Sequence, residues 1–366
     1  MNKLSAFALL HSTRGRTGGD SRMKLPRLRA EPGVSGPNGA GAPAARPDGQ
    51  EDISLPAIGP VADLAAALLG NLSLVIRGKP EQLRLVLVAL LSGGHLLVED
   101  LPGMGKTVLA KGIARSLGGS FTRIQGTSDL LPAEVTGTNV FHTGVGGWEF
   151  RPGPLFSHVV LVDEINRATP RTQSALLEAM EEAQVSVDGV TRPLPDPFFL
   201  VATQNPVDHL GTFPLVEGQR DRFTMVANLG LPDRDAEREL LLGVGGVGSL
   251  DGLAPVTTPE RFAEVLATVR QVHCEAKVAD YVIDVVAATR EHPDVVRGAS
   301  PRASLGVLHL AQAHAAMQRR SFVLPDDVKA VAAAALAHRL VLAAGPDIGV
   351  GASIVDSILG WVVPPR

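Results

Sequence analysis

Two closely spaced glycines followed by a lysine and a threonine are the residues of this chain best suited to bind polyphosphate. Gly103 and Gly105 precede Lys106 and Thr107, and an apolar run, 96–98, comes shortly before them. Glycines let backbone N–H groups turn toward phosphate oxygens, a lysine can reach the β- and γ-phosphates, and a threonine hydroxyl can ligate Mg²⁺. The predicted order is therefore strand, phosphate-binding loop and helix.

This loop departs from the common pattern G-x-x-x-x-G-K-[ST] at its first position. Asp100 stands where the pattern has its first glycine, and Pro102 with Gly103 can make the tight turn instead. For this stretch alone, a chance glycine turn before a helix is the alternative interpretation. The strand and the helix predicted on either side favour the nucleotide site.

Two carboxylates close a second apolar run. The run 159–162 is typical of a strand buried on both faces, and Asp163 and Glu164 follow it at the end where open α/β sheets bind ligands. In a nucleotide site the first carboxylate can hold Mg²⁺, while the second orients and activates the attacking water. A solvated acidic turn is the alternative, which the phosphate-binding loop in the same chain disfavours.

A third apolar run, 198–203, ends in two amides, Gln204 and Asn205. An amide beside the two carboxylates could position the hydrolytic water or contact the γ-phosphate, whereas alone it would be a turn residue. Arg220 and Arg222 follow, near the end of a short predicted helix. In isolation, such arginines are most often partners in surface salt bridges.

Hydrophobic periodicity predicts the elements that carry these residues. Helical spacing predicts two helices between 58 and 92, with a break at 78–80, and a helix at 174–183, while 121–125 is predicted to be a second strand. Residues 184–192 alternate around Asp-Gly, which predicts a β-hairpin with a two-residue turn. That hairpin could carry a partner-binding tip or be purely structural.

The remainder of the chain after a glycine-rich stretch is predicted to be helical. Its four predicted helices have small-residue faces that suit close packing. The first begins at 258–260, and the others lie at 278–291, 302–320 and 325–342. The length of 366 residues suggests about two domains. The predicted divisions are a disordered tail rich in Gly, Pro, Ala and Arg at 1–52, an α/β domain at 53–242, a Gly-rich linker at 243–255 and a helical domain at 256–366. Within the tail, Met23 offers an alternative start.

The net charge and the cysteine content limit which partners the protein can bind and in which cellular compartment it is expected. Residues 1–52 carry eight Lys/Arg and five Asp/Glu, so the net charge of −4 leaves −7 for the remainder, which disfavours general nucleic-acid binding. The single cysteine, Cys274, excludes an intrachain disulfide and fits the reducing cytoplasm. No apolar run is long enough to span a bilayer, so we expect no membrane insertion.

Taken together, these residues resemble the AAA+ ATPases and, within them, the MoxR family. The resemblance runs from about residue 60 to the C-terminus and excludes the tail. It is carried by six ordered blocks: Leu-Val-Glu-Asp-Leu-Pro-Gly-Met-Gly-Lys-Thr at 97–107, Arg-Ile-Gln-Gly-Thr-Ser-Asp-Leu-Leu-Pro at 123–132, Phe-Arg-Pro-Gly-Pro-Leu-Phe at 150–156, Asp-Glu-Ile-Asn-Arg-Ala at 163–168, Ala-Thr-Gln-Asn-Pro at 202–206 and Gly-Ala-Ser-Pro-Arg-Ala at 298–303.

The resemblance implies an α/β fold, namely an AAA+ P-loop core with a parallel β-sheet flanked by helices, followed by a small all-α lid domain. It implies ATP and Mg²⁺ as cofactors, with Thr107 and Asp163 on the metal. The hairpin at 184–192 resembles the family's hairpin before sensor 1, and 135–150 resembles its insertion in the second helix. The implied nucleotide-binding residues are Pro102, Gly103, Met104, Gly105, Lys106, Thr107 and Val108.

The resemblance also implies four catalytic residues. Glu164 would activate the water, and Asn205 would be sensor 1. Arg302 would be sensor 2, reaching from the lid to the γ-phosphate, and Arg222 would be an arginine finger that enters the neighbouring subunit's site. Because 217–220 varies from the family pattern, the choice between Arg220 and Arg222 as the finger stays open.

The function implied is ATP hydrolysis by a homo-oligomer, expected to be a hexameric ring, that remodels or matures protein partners as a chaperone does. The implied client or adaptor has a von Willebrand factor A domain. One alternative is a DNA-acting motor or clamp loader, against which the acidic main part argues. Another is a nucleotide-dependent scaffold with little turnover, which need not retain the complete set of catalytic residues.

Overall fold

The computed structural model describes residues 57–144, 146–205, 211–345 and 347–366. The predicted tail, 1–52, lies outside the described residues, and its disorder stays a prediction. Residues from Ile53 to Arg366 form one compact unit. The boundaries predicted inside that unit, at 53–242, 243–255 and 256–366, stay predictions as well.

The first part of this unit alternates helices and strands. In chain order its elements are α1 (Gly59–Val75), α2 (Pro80–Leu91), β1 (Leu96–Glu99), α3 (Lys106–Ser116), β2 (Phe121–Gln125), α4 (Pro132–Thr136), β3 (Gly137–His142), β4 (Gly147–Pro152), β5 (Val159–Asp163), α5 (Pro170–Glu182), β6 (Gln184–Val187), β7 (Val190–Pro193), β8 (Phe199–Gln204), α6 (Glu217–Arg220), β9 (Met225–Ala227), α7 (Arg234–Leu241) and α8 (Val247–Leu250).

The second part, which we call the lid, is mainly helical. Its elements are α9 (Pro259–Val269), α10 (Ala276–Glu291), β10 (Val295–Arg297), α11 (Pro301–Met317), α12 (Pro325–Leu336), β11 (Val341–Leu342) and α13 (Ile348–Trp361). Single 3-10 turns occupy Ile165–Arg167 and Ala337–Arg339.

Five parallel strands form the central sheet, in the order β2-β5-β8-β1-β9. Successive side chains of a strand point to opposite faces, and both faces are covered here. On β5, for example, Val159 and Leu161 belong to one hydrophobic cluster, while Val160 and Val162 belong to the other. This double burial explains why β1, β5 and β8 are continuous apolar runs. The observed sheet confirms the predicted parallel sheet flanked by helices.

The strand order places the carboxyl ends of β1, β5 and β8 at the same edge of the sheet, and the candidate site residues follow these ends. Gln125 is in register with Asp163, and Glu99 is in register with Gln204. Since all five strands are parallel, the loops after β1, β5 and β8 leave the sheet on the same side. The phosphate-binding loop, the two carboxylates and Asn205 therefore share one edge.

Two antiparallel hairpins project from the core and contact each other. β6 and β7 turn at Asp188-Gly189, where both residues have positive φ (52° and 75°), as the sequence predicts. The segment 135–150, expected to resemble the family's insertion in the second helix, begins in the last two residues of α4 and continues into the second hairpin, β3–β4. Asn139 Nδ2 donates to Asp188 Oδ2 over 2.6 Å, and this bond joins the two hairpins.

The lid differs from its prediction near the C-terminus. The helix predicted at 325–342 ends at Leu336, because the chain enters a 3-10 turn and then pairs β11 with β10. His338 and Arg339 in that turn are held by the carbonyl of Phe223 in the core. The final helix, α13, lies in the stretch that was predicted to be helical to the end of the chain, but no bounds were predicted for it. Among the described residues of the lid, β10 and β11 form a two-stranded sheet beside these helices.

Candidate nucleotide site at the edge of the parallel sheet

The phosphate-binding loop has the geometry that an anion site requires. Gly103 and Gly105 have φ values of 86° and 84°, which L side chains rarely adopt. Helix α3 begins directly afterwards, at Lys106, and no side chain caps its N-terminus. The first N–H groups of an uncapped helix lack intrahelical acceptors and carry the positive end of the helix dipole, so they suit phosphate.

Lys106 lies between the loop and the acidic strand end. Its Nζ donates to the carbonyl oxygen of Asp100 over 2.7 Å. Partial burial lowers the pKa of Lys106, while the nearby charges of Asp100, Asp163 and Glu164 act in the opposite direction. The ammonium group is thus near the carboxylates of Asp163, which ends β5, and Glu164, which follows it, as a shared nucleotide site requires.

Asp100, which replaces the first glycine of the motif, ties the loop to a distant segment. Its side chain is 4% exposed, and its two carboxylate oxygens accept the N–H groups of Leu229, over 2.6 Å, and Gly230, over 3.1 Å. Those residues follow β9 and lead toward the lid. The departure from the motif therefore has a structural role that sequence reasoning missed.

Asp163 is oriented through both of its carboxylate oxygens. Thr203 Oγ1 donates to Oδ1 over 2.5 Å, and Arg123 Nη2 donates to Oδ2 over 2.6 Å. Thr203 also accepts the backbone N–H of Glu164 over 2.9 Å. A single threonine on β8 thus fixes both members of the acidic pair, and the sequence offered no signal for it.

Glu164 has left-handed backbone geometry, with φ of 55°, and two donors hold its side chain. Gln125 Nε2 donates to Oε2 over 3.0 Å, and Arg167 Nε lies 3.2 Å from the same oxygen. The backbone of Glu164 also explains the glycine at 126, since a Cβ there would lie 2.2 Å from the Glu164 carbonyl oxygen. The carboxylate is therefore aimed by neighbours on β2 and in the 3-10 turn.

The donor set at this edge fits Mg²⁺ shared with a polyphosphate. Thr107 is in the first turn of α3, and Asp163 ends β5, which offers one hydroxyl and one carboxylate as hard oxygen ligands. Mg²⁺ typically binds through one or two protein oxygens, with waters and phosphate oxygens completing the shell. Within the described ranges, no group of three or more His, Cys, Asp or Glu is placed to hold a metal by itself.

Asn205 follows β8, the strand between β5 and β1. Its neighbour Gln204 lies at the same edge, with Nε2 3.4 Å from Oε1 of Glu99. The structure thus brings Asn205 to the side of the sheet that carries the carboxylates and the phosphate-binding loop.

Arg222 and Arg302 lie together, away from these contacts. Arg222 Nε donates to Oε2 of Glu181 over 2.8 Å, and Arg302 Nη1 donates to Oε1 of the same carboxylate over 2.9 Å. Arg302 was expected to reach the γ-phosphate from the lid. Its hydrogen bond in this structure instead pairs it with Arg222, the expected arginine finger.

Arg220 points into its own chain. Its side chain is 16% exposed, and Nη2 lies 3.9 Å from Oε1 of Glu99, next to the phosphate-binding loop. Burial raises the pKa of Glu99, and the charge of Arg220 opposes that shift. The two arginines between which the sequence left a choice therefore occupy different environments, one inward and one at the surface.

Comparison with known proteins agrees with this geometry. Residues 95–225 match the family model described as the ATPase family associated with various cellular activities (AAA), and 287–358 match the AAA lid domain. The first match spans the phosphate-binding loop, Asp163, Glu164 and both candidate finger arginines. The fold and the site thus define an AAA+ ATPase, a family that implies nucleotide binding.

Comparison with individual proteins shows which family of AAA+ ATPases the chain is similar to. The chain is 44% identical to the uncharacterized protein YeaC of Bacillus subtilis over 74% of its own length and 85% of that protein. It is 40% identical to the chaperone MoxR1 of Mycobacterium tuberculosis over 73% of each chain, and 33% identical to the protein MoxR of Paracoccus denitrificans, covering 76% of this chain and 88% of that one. The chain belongs to the MoxR family of AAA+ ATPases.

Solved structures show the same architecture. A candidate ATPase from Cytophaga hutchinsonii has a TM-score of 0.76 at 33% identity, covering 84% of this chain and 96% of that one. An MCM homologue from Methanopyrus kandleri has a TM-score of 0.52 at 18% identity, covering 88% and 64%, and shares the fold alone. In the part of the chain that the structure describes, no helix has the length and apolar character needed to cross a membrane.

Proposed function

We propose that this protein binds ATP with Mg²⁺ and hydrolyses it. The observation that carries the proposal is the convergence of Lys106, at the start of an uncapped helix, with the carboxylates of Asp163 and Glu164 at one edge of a parallel sheet. A loop that can bind phosphates beside a carboxylate that can activate water is the arrangement that phosphoryl transfer to water requires.

Each residue has a role in the proposed reaction. The loop 102–105, the side chain of Lys106 and the first N–H groups of α3 bind the phosphates. Glu164 accepts a proton from the attacking water, and Asn205 orients that water or the γ-phosphate. Mg²⁺, held by Thr107 and Asp163, would neutralise the negative charge that develops during the transfer.

The arginines are proposed to act on the site of a second copy. Arg222 and Arg302 share Glu181 at the surface, whereas Arg220 is turned toward Glu99 of its own chain. This separation supports Arg222 as the finger, with Arg302 beside it. Hydrolysis would then depend on assembly into a homo-oligomer, proposed to be a hexameric ring, because each site receives its last positive charges from a neighbour.

The proposed biological role is the remodelling or maturation of protein partners in the cytoplasm. The relative named chaperone MoxR1 supports this role, and the client or adaptor that we propose has a von Willebrand factor A domain. Cys274, a half-buried free thiol, suits a reducing compartment.

One set of measurements tests the hydrolysis and the partner class together. Phosphate release and binding of a fluorescent ADP analogue would be measured for the wild type, Glu164→Gln and Lys106→Ala, alone, with a von Willebrand factor A domain and with single-stranded DNA. We expect Lys106→Ala to lose nucleotide binding. Glu164→Gln should bind normally but hydrolyse about 100-fold more slowly, a typical loss for a missing general base.

Glu182→Gln, which changes an exposed carboxylate at the end of α5, serves as the matched control for Glu164→Gln and should behave as the wild type. Turnover that survives Glu164→Gln would contradict the proposed mechanism. Stimulation by DNA but not by the protein domain would replace the chaperone role with the motor alternative.

A further inference from the structure

Glu181 joins two arginines that come from different parts of the chain. It lies in the last turn of α5, Arg222 follows α6 in the core, and Arg302 is in the first turn of the lid helix α11. Each guanidinium takes a separate carboxylate oxygen, at 2.8 Å for Arg222 and 2.9 Å for Arg302. Arg222 and Arg302 lie 41 and 121 residues from Glu181 in the chain. Their two guanidiniums are nevertheless linked by hydrogen bonds to the same carboxylate.

Stability does not account for this arrangement. The side chains of Glu181, Arg222 and Arg302 are 40%, 32% and 43% exposed, and ion pairs at such exposure contribute little to folding because solvent screens them. Two long side chains also lose rotamer freedom when they are held in one geometry. The arrangement is therefore better explained by a binding role for the guanidinium groups that it holds at the surface.

Glu181, Arg222 and Arg302, which we call the arginine cluster, carry a net positive charge and several N–H groups that donate no hydrogen bond within the described residues. A guanidinium has five N–H donors. Arg222 uses Nε for Glu181 and Nη1 for the carbonyl of Gly218, at 3.3 Å, while Arg302 uses only Nη1 for Glu181. In the part of the chain that the structure describes, the other N–H groups have no acceptor, so they remain for an external anion.

The backbone that carries Arg222 is fixed to the lid as well. Ser300 Oγ donates to Oδ2 of Asp221 over 2.9 Å, and Arg339 Nε lies 2.9 Å from Oδ1 of the same carboxylate. Arg297 forms an ion pair with Glu217 of α6. The two arginines thus come from segments that are themselves bound together. Glu181 is the residue that bonds both of their side chains, while the Gly218 carbonyl accepts a longer bond from Arg222 alone.

We propose that Glu181 is a positioning residue that holds Arg222 and Arg302 side by side, so that the pair binds the terminal phosphates of a nucleotide on a second copy of this chain. The inference rests on the proposed function, since it assumes that a neighbour's site needs this charge. Without the carboxylate, two adjacent guanidiniums repel each other and separate. The planar, forked donors of both arginines then no longer converge on one phosphate.

A mixing experiment tests this role directly. An acceptor chain with Arg222→Ala keeps its own nucleotide site but lacks the finger. A donor chain with Lys106→Ala cannot bind nucleotide but keeps Glu181 and both arginines. Mixed together, the two inactive chains should regain turnover through sites that pair one of each. The same donor carrying Glu181→Ala in addition should give at least tenfold less turnover.

Two further variants separate positioning from a structural role. Glu182→Ala in the donor is the matched control, because Glu182 is a neighbouring exposed carboxylate bonded only to Gln184 in the described contacts, and it should leave the rescue unchanged. Glu181→Gln, which keeps an acceptor oxygen, should give an intermediate rate. Thermal unfolding and assembly of each donor, measured alongside, should match those of the Lys106→Ala chain.

The outcomes are distinguishable. Absence of rescue with the Lys106→Ala donor would contradict the shared site itself, and with it the proposed function. Full rescue by a donor that carries Glu181→Ala, or a rate above that of the unmodified donor, would overturn the role of Glu181 while leaving the shared site intact.

Discussion

At the scale of single residues, the site depends on contacts between side chains and distant backbone. Asp100 contacts N–H groups 129 and 130 residues further along the chain, and Thr203 fixes Asp163 from 40 residues away. A buried N–H that loses its acceptor costs about 1 to 3 kcal/mol. The phosphate-binding loop is therefore held in place by a carboxylate that the motif does not include.

Restoring the motif glycine should consequently harm the protein. We expect Asp100→Gly to weaken binding of a fluorescent ADP analogue by about tenfold, equivalent to about 1.4 kcal/mol, because the N–H groups of Leu229 and Gly230 lose their acceptor and the loop loses its anchor. Asp100→Asn, whose amide oxygen can still accept one of them, should bind more tightly than Asp100→Gly. Equal or tighter binding by the glycine variant would show that the carboxylate does not anchor the loop.

The sequence predicted the residues of the candidate site itself but not the residues that hold them in position. Glycines, Lys106, Asp163 and Glu164 stand in short local patterns whose chemistry can be derived from neighbouring residues. Arg123 and Glu181 carry no such pattern, because their partners become neighbours only when strands and helices pack. Our proposal of Arg222 rather than Arg220 as the finger likewise needs the fold, since the two arginines differ in their exposure and in their carboxylate partners.

At the scale of elements, local sequence and tertiary packing agree in the sheet and disagree at the end of the lid. Strands buried on both faces are continuous apolar runs, so β1, β5 and β8 were predictable. The strand β2 was also predicted, although its residues Phe-Thr-Arg-Ile-Gln are largely polar and only Ile124 is buried. Helix α13 contains three glycines at 349, 351 and 360, which lower its helix propensity. It is instead stabilised by burying Ile354, Val355 and Ile358 against the lid, and no local pattern indicates that.

Within the lid, a buried carboxylate joins α12 to α11. Asp327 is fully buried, and Arg320 donates to both of its oxygens over 2.6 Å, with His314 Nδ1 also 2.6 Å from Oδ1. Burial alone would raise the pKa of Asp327, but the hydrogen bonds from Arg320, His314 and the Leu324 N–H lower it to about 2. The ionised carboxylate is therefore part of the folded lid.

This network predicts an acid-sensitive lid. Because the pKa of Asp327 is lower in the folded chain than its ordinary value of 3.8, its stabilisation is complete above about pH 5 and is lost as the pH falls toward 2. The loss amounts to about 2 to 3 kcal/mol. Thermal unfolding followed from pH 6 to 2.5 should show a steeper acid decline for the wild type than for Asp327→Asn.

Asp326→Asn is the matched control, because Asp326 is adjacent and its side chain is 86% exposed. Its acid decline should match that of the wild type. The same slope for wild type and Asp327→Asn would show that the network does not stabilise the lid.

At the scale of the whole molecule, the first part of the chain and the lid form one compact unit, and we propose that its surface arginines complete the nucleotide site of a second copy. The phosphate-binding loop and the carboxylates lie at one edge of the sheet, while Arg222 and Arg302 meet on Glu181 at the surface. A phosphoryl-transfer site that lacks its arginine is slow, by factors of 10³ to 10⁵ in other systems. The monomer is therefore expected to be nearly inactive, and assembly to complete the site.

The most direct test is ATP turnover per subunit over a wide range of protein concentrations, for the wild type, Arg222→Ala and, as a control, Arg261→Ala on the exposed face of α9. Our account predicts that turnover per subunit rises with concentration for the wild type and for Arg261→Ala. Arg222→Ala should stay at the low rate of the monomer at every concentration, at least 100-fold below the assembled wild type, while still binding nucleotide. Turnover that is independent of concentration, or that survives Arg222→Ala, would contradict the shared site.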